Sequence, residues 1–257
     1  MNRKRMKLPQ LMLCSFGACL LHLCINPVAA EQPLSVRLSV GSSWQTRNDV
    51  QIPNSDQGTR FSLRDAVGSG PVPAARLEMN WSMYKRHGLR IMLAPLSYSE
   101  SVEFDQPVDF DGQRFAANET TRASYRFNSW RVGYHYTFLN NEVSMFRAGA
   151  TLKVRDAEIR LGQSDADSSN DDVGIVPLLY LAGSYKLNDS WKIRADLDGL
   201  AGGPGRAIDA GLALDFALTK RWSLGAEVRI LDGGADTDDV YNFAQFNSAA
   251  VALSAEF

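Results

Sequence analysis

Charged residues recur at every second position in three stretches: Arg76 and Glu78; Arg194, Asp196 and Asp198; Glu227 and Arg229. Asp209 and Asp215, six apart, share the same parity, and Arg37, Arg90, Arg131 and Lys153 stand singly in similar surroundings. Even spacings place side chains on one face of an extended strand. Carboxylates interleaved with arginines could act as a general acid and base, line an ion path, or neutralise one another in a crowded interior. The residues between them are apolar: Leu77 and Met79; Ile193, Ala195 and Leu197; Ile208, Ala210, Leu212, Leu214 and Phe216; Leu224, Ala226, Val228 and Ile230. A soluble sandwich turns its polar face outward to water. Here the repeated ion pairs suit an interior and the apolar face suits lipid.

Two other motifs invite chemistry. Gln163–Asp172 and Asp232–Asp239 are rich in carboxylates, and Asp236 and Asp238 follow a Gly-Gly pair in a way that faintly suits calcium. One copy of such a turn is thin support, because calcium-binding turns of this kind come as repeats. Asp198–Arg206 is glycine-rich but lacks the Lys-Ser/Thr ending of a phosphate loop and leads into a strand, so it reads as a tight turn. No motif points to a cofactor.

The amino terminus has a basic start (Arg3, Lys4, Arg5, Lys7), an apolar run from Leu8 to Ile25, and small residues Val28 and Ala30 before Glu31. That pattern predicts a secretory signal peptide over residues 1–30 and a mature domain over 31–257. All three cysteines (Cys14, Cys19, Cys24) lie in the leader, so the mature chain offers neither disulfides nor thiol chemistry. Cleavage leaves 23 of the 27 basic residues against 29 acidic ones, a net charge of −6 that argues against nucleic acid as a partner. The mature region contains no apolar run of helical length. A membrane domain without helices has to be a closed barrel, since lipid cannot satisfy an open sheet edge.

Turn signals set the strand count. Short connections at 84–88, 139–142, 187–190 and 219–221 alternate with longer ones near 49–72, 105–121, 162–172, 199–206 and 232–240. The alternation predicts ten strands near 34–48, 73–83, 88–104, 122–138, 142–160, 173–187, 190–199, 206–218, 221–231 and 241–257. Eight or twelve remain open, because 49–72 and 105–121 could each hide a hairpin. Parity is clear except in the fifth and sixth strands, where Arg155-Asp156 suggests a bulge and Pro177 requires a place without a ladder donor. Trp81, Trp191 and Trp222 fall at the short-turn ends, facing out, and Trp44 and Tyr241 at the opposite rim. Trp and Tyr favour both membrane interfaces.

The last strand, Tyr241 to Phe257, has an apolar face bounded by aromatics and a small inner face of Ser248, Ala250, Ala252 and Ser254. With its terminal Phe257 it resembles the closing strand of Gram-negative outer-membrane β-barrels. That resemblance implies recognition by the barrel-assembly machinery, an outer-membrane location, and contact with lipids and lipopolysaccharide. Asp198–Arg206 together with Val240–Ala244 resembles an uncharacterised group of such proteins, which implies no activity.

The expectation is an all-β, closed antiparallel transmembrane barrel of about ten strands, monomeric. Its lumen holds the cluster Arg76, Glu78, Arg131, Arg194, Asp196, Asp198, Asp209, Asp215, Glu227 and Arg229, largely plugged by ion pairs. Its girdle is Trp44, Trp81, Trp191, Trp222, Tyr241 and Phe257. The favoured role is structural or surface-interacting. A narrow solute channel is the alternative, and a carboxylate-based enzyme stays open. Omptin proteases are similar in strand number only, since they use aspartates with a histidine at the extracellular rim. His87 is expected in a short turn and His135 near the short-turn end of the lumen, away from that rim. Any cavity should lie beside the small inner face of the last strand.

Overall fold

A computed structural model describes residues 34–203 and 205–257. The signal peptide expected over residues 1–30 lies outside the described residues, as does Pro204 of the glycine-rich turn.

The chain forms β1 (Leu34–Gln51), β2 (Phe61–Ser62), α1 (Leu63–Val67), β3 (Val72–Tyr84), β4 (His87–Ala94), β5 (Ser97–Glu103), β6 (Val108–Phe110) and β7 (Gln113–Phe115). It continues through β8 (Thr120–Asn140), β9 (Ser144–Gly162), β10 (Asp167–Lys186), β11 (Trp191–Gly202), β12 (Gly205–Ala217), β13 (Trp222–Asp236) and β14 (Tyr241–Glu256). The sheet runs β14-β13-β12-β11-β10-β9-β8-β4-β3-β1, and β1 pairs with β14 to close it. β4 and β5 both pair with β8 and count as one stave interrupted at Pro95, so the antiparallel barrel has ten staves. Closure runs from Ser35 opposite Glu256 to Gln51 opposite Tyr241, and Phe257 N donates to Leu34 O at 2.8 Å.

Alternation decides which face each side chain takes. Along β8, Thr121, Ala123, Tyr125, Ser129, Arg131 and His135 point inward and are buried, while Trp130, Val132, Tyr134 and Phe138 point outward. Large apolar side chains are exposed all round the lower barrel, Val40 at 57%, Val132 at 51% and Ile175 at 72% among them. A belt of that extent far exceeds the few hundred Å² that water-soluble monomers leave uncovered.

Above the belt the two faces exchange character. The outer face of β8 becomes polar at Asn128, Arg126, Ser124 and Arg122, and that of β9 at Asp156, Glu158 and Arg160. Inside, Tyr125, Ile159 and Leu161 join Val50, Phe246 and Tyr98 in one buried apolar cluster. The upper barrel is thus built as a soluble protein is, and the lower barrel the other way round. This exchange obscures the parity of the fifth and sixth strands in the sequence. The bulge expected at Arg155-Asp156 is absent: β9 pairs with β10 in unbroken register from Ser144 to Gly162. Register shifts fall instead in β1 between Gln45 and Arg47, in β3 between Ser82 and Tyr84, and in β8 between Thr137 and Leu139.

The two longest connections fold into the cap of this upper core without adding staves. In the first, the Ser62 hydroxyl accepts from Asp65 N to start α1, and Gly68 ends it at φ +76°, a conformation that suits glycine. Gln45 anchors that end through N to Ser69 O (2.8 Å) and Nε2 to Gly68 O (2.9 Å). The second carries the β6–β7 hairpin, turned by Asp111 and Gly112, both at positive φ as a two-residue hairpin turn requires. Its tip accepts from Asn170 Nδ2 at 3.2 Å.

Both expected acidic loops are largely strand. Asp167–Asp172 pairs with β9, stitched by ion pairs Arg160–Asp167 and Arg155–Asp172, and Asp232–Asp236 belongs to β13. The β10–β11 ladder stops at Leu179, and Pro177 sits just beyond, on an edge that needs no donor from it.

Candidate functional site

The inward charges of the lower barrel converge on two carboxylates. Asp198 on β11 accepts from Arg90 Nη1 of β4 (2.7 Å), Arg131 Nη1 of β8 (2.6 Å) and Thr151 Oγ1 of β9 (2.8 Å). Asp209 on β12 accepts from Arg76 Nη1 of β3 (3.2 Å), Arg229 Nη1 of β13 (2.6 Å) and Arg131 Nη2. Arg131 bridges the two. Around them Arg229 Nη2 reaches both Asp196 oxygens at 2.7 and 2.9 Å, and Arg90 Nη2 reaches Glu78 at 3.1 Å. Arg37 joins Asp215 (2.8 Å) and Glu227 (3.1 Å) nearer the short-turn end, where Arg194 lies 3.8 Å from Asp215.

Every member of the cluster read from the sequence lies in this network. Arg194, Asp196, Asp209, Asp215, Glu227 and Arg229 come together on neighbouring staves as spacing suggests. Spacing could not show that Asp209 also takes guanidiniums from β3 and β8 across the lumen. Sequence reasoning missed Arg147, which donates to Asn80 Oδ1 at 3.3 Å, and it missed Asn80 and Thr151 as ligands of the carboxylates. Arg147 shares the inward parity of Lys153 and could have been found that way.

Such charges are costly to take out of water, and each carboxylate repays this only by accepting several charge-assisted hydrogen bonds. Arginine suits the role because its flat, forked guanidinium serves two carboxylates at once. The arrangement ties staves together through the lumen. Asp196, Asp209 and Glu227, the carboxylates best placed for acid–base work, are all engaged by Arg229.

Neither His87 nor His135 meets the carboxylates. His87 opens β4 on the outside, with Nδ1 hydrogen-bonded to the Tyr134 hydroxyl. His135 is buried in the lumen, its ring packed so closely over Gly88 that an added Cβ there would collide with Cε1. Both lie toward the short-turn end, on β4 and β8 respectively. In the acidic turn, Asp236 accepts from Asn54 Nδ2 at 2.8 Å while Asp238 is exposed. Among the described residues no three His, Cys, Asp or Glu side chains converge as a metal site would need.

The aromatic positions separate into two levels. Trp81, Trp191, Trp222 and Phe257 are exposed outward at the short-turn end, and Trp191 packs on Phe216 at 4.9 Å. Trp44 is exposed toward the other rim, whereas Tyr241 is half-buried beneath the Arg60 guanidinium, 3.7 Å from the ring centre.

Between the ion-pair network and the cap lies a cavity of about 80 Å³. Ser248 and Ala250 of β14 form part of its wall, as their small size implies, with Ser39, Ser43 and Ala74 beside them. Arg76, Arg131 and Arg229 form its floor together with Asp209 and Glu227, and Phe127, Phe246 and Leu231 its roof.

Comparison with known proteins gives a fold and no activity. Residues 107–231, just under half of the chain, match a family described as "Protein of unknown function, DUF481". The match takes in Arg131, Arg194–Asp198, Asp209, Asp215, Glu227 and Arg229 but ends before Val240–Ala244. No curated protein matches the sequence. Among solved structures, the outer membrane protease OmpT from Escherichia coli aligns with a TM-score of 0.54 at 9% identity, covering 88% of this chain and 97% of that one. The translocator domain of the autotransporter NalP from Neisseria meningitidis aligns at 0.44 and 12% identity, covering 90% of each chain. Ail of Yersinia pestis, solved with sucrose octasulfate, aligns at 0.40 and 10% identity, covering 89% of this chain and 100% of that one. The likeness to OmpT is one of fold: the chain resembles Gram-negative outer-membrane β-barrels.

Proposed function

We propose that this chain is a monomeric outer-membrane barrel of structural or surface-interacting type, released from a signal peptide over residues 1–30, with a lumen closed to solutes. Phe257 and the short turns face the periplasm, and the cap and polar upper wall face the outside, against lipopolysaccharide and whatever binds there. The observation that carries the reading is Asp209. Arginines of β3, β8 and β13 meet on one carboxylate, so a solute path down the axis would have to part ion pairs that cross it. Barrels of eight or so strands are filled by side chains, while aqueous channels belong to wider ones. The outward apolar belt, bounded by Trp81, Trp191 and Trp222 on one side, supports a bilayer location.

The test is conductance. Purified protein in planar bilayers, with insertion confirmed by protease protection of the belt, should show no large, stable current. Sustained channel openings would replace this reading with the solute channel. Fractionation of cells should recover the chain with the outer membrane, and recovery in the soluble periplasm would sink the location.

A further inference from the structure

β8, β9 and β10, at 21, 19 and 20 residues, outrun β11 and β12, at 12 and 13, and this leaves β10 with a free upper edge. β10 pairs with β9 from Asp167 downward, but its ladder to β11 reaches no higher than Leu179 opposite Gly199. β11 turns back at Gly202 into β12, so among the described residues nothing pairs with the other side of β10 above Leu179. The side chains are correspondingly open. Val173 (68%) and Ile175 (72%) are the two most exposed large apolar residues among those described, and Asp167, Ser169 and Asp171 are exposed with them. Open edges are commonly blunted by proline. The other unpaired stretch of the wall, between β3 above Leu77 and β5, has Pro73 on one side and Pro95 on the other. The β10 edge has no proline from Asp167 to Val176.

Cross-strand neighbours on one face stabilise a sheet pair by pair, and like charges directly opposite destabilise it. On the outer face Arg126, Glu158 and Asp171 form one row across β8, β9 and β10. Arg126 Nη1 holds Glu158 at 2.7 Å, while Asp171 stands opposite that carboxylate and belongs to no ion pair among the described residues. The row lacks a cation at its open end. The next rows towards the belt are Asn128, Asp156 and Val173, then Trp130, Val154 and Ile175. Asp156 already accepts from Arg126 and Asn128, so both of these rows end on an apolar side chain with nothing beside it. A strand added to β10 would set a basic residue beside Asp171 and apolar residues beside Val173 and Ile175, at every second position along it.

From the free edge and the ends of these rows we infer that upper β10 is a docking edge for an extended cationic segment of another protein, which joins the sheet as its next strand. Main-chain hydrogen bonds along the edge supply the affinity, and the alternating row ends supply the selectivity. A second copy of this chain does not fit. Two barrels in one membrane point the same way, so their β10 strands would meet in parallel, the acidic run Asp167–Asp172 of one against that of the other. The inference rests on the outer-membrane reading above, in which this edge faces outside, and location is measured separately by fractionation.

Calorimetry of the blocked peptide Val-Thr-Val-Thr-Lys-Thr-Lys against the full mature protein in non-ionic detergent tests it. Saturable binding at one site is expected. The same peptide with glutamate in place of lysine should bind roughly tenfold more weakly. A version N-methylated at every residue keeps the charge, has no backbone donor, and should not bind. Asp171→Lys, an exposed change outside every ion pair described, should weaken binding roughly tenfold with unchanged thermal unfolding. Asp238→Lys, the same change of charge on the exposed β13–β14 turn, should leave binding as it was. No saturable binding by folded protein, equal binding of the glutamate or N-methylated peptide, undiminished binding by Asp171→Lys, or an equal loss in Asp238→Lys each overturns the inference. So does a dimer in detergent that Asp171→Lys dissociates, because a second copy would then cover the edge. A protein that fractionates with the outer membrane yet takes no peptide sinks this edge and leaves the barrel reading standing.

Discussion

Arg131 and Asp209 stand 78 positions apart and on opposite sides of the lumen, and they are joined by an ion pair buried at both ends. The same carboxylate holds Arg76 and Arg229, so one side chain joins four staves. Removing it leaves three guanidiniums facing one another in a site with little water. Asp209→Ala should therefore cost about 3–5 kcal/mol, the usual penalty for leaving a buried charge unpaired. Replacing Asp167, whose pair with Arg160 is more than half exposed, should change stability by less than about 1 kcal/mol. Thermal unfolding in detergent, followed by circular dichroism, measures both. Equal effects would mean that the network does not hold the barrel together.

Alternation alone makes the inward set legible in the sequence, because charged residues at even spacings between apolar ones leave one choice of face. The pairing inside the lumen is not legible there. Parity says that Arg76 and Asp209 both point inward, but their distance depends on how many staves separate them and how far the ladder is staggered. The upper core is hidden for a different reason. Tyr125, Ile159 and Leu161 occupy the inward parity that lower down carries Arg131 and Lys153, so a single in–out rule fails as a strand leaves the belt. The acidic stretch Asp167–Asp172 reads as loop because its outward neighbours are water, and polar residues are then unremarkable in a strand. Pro95 is visible in the sequence, yet only the lost β3–β5 pairing shows that it marks a break in the wall.

The exchange of faces fixes where the belt ends, and lysine substitution reads it. Val132 and Ser124 both point outward from β8, eight residues apart, on either side of that boundary. Val132→Lys places a charge in lipid, at a cost of about 2–4 kcal/mol near the midplane. Ser124→Lys places it in water, where surface changes stay within about 0.5 kcal/mol. Folding into lipid vesicles, assayed by protease protection, should fall for the first variant only. A comparable loss at Ser124 would move the boundary upward.

Tyr125 lies above the belt, fully buried beside Phe246, with ring centres 5.8 Å apart and nearly parallel. Burial raises its hydroxyl pKa above the ordinary value of 10.0, and the same cause acts on Tyr98. An acid whose folded pKa exceeds its unfolded one adds stability that is complete below the unfolded value and is lost as pH rises towards the folded value. The cap should therefore weaken above about pH 10. Tyr125→Phe should remove part of that alkaline loss without changing stability at pH 7, as measured by protease sensitivity of the loop carrying Val108–Phe115. An unchanged alkaline profile would show that Tyr125 does not govern it.

Phe257 separates two roles that a terminal aromatic can have. Its amide donates the last bond of the β1–β14 seam, to Leu34 O at 2.8 Å, while the residue is 63% exposed. Deleting it removes one backbone hydrogen bond at the barrel end, worth about 0.5–1.5 kcal/mol, and buries or uncovers little else. Refolding of purified protein into detergent should be nearly unaffected. If the residue is instead read by the assembly machinery, insertion in cells should fall severely, with the chain accumulating in the periplasm. Phe257→Tyr, which keeps an aromatic terminus, should restore insertion. Equal loss in both settings would make Phe257 a structural residue of the seam, and normal surface insertion of the deletion would remove the terminal signal altogether.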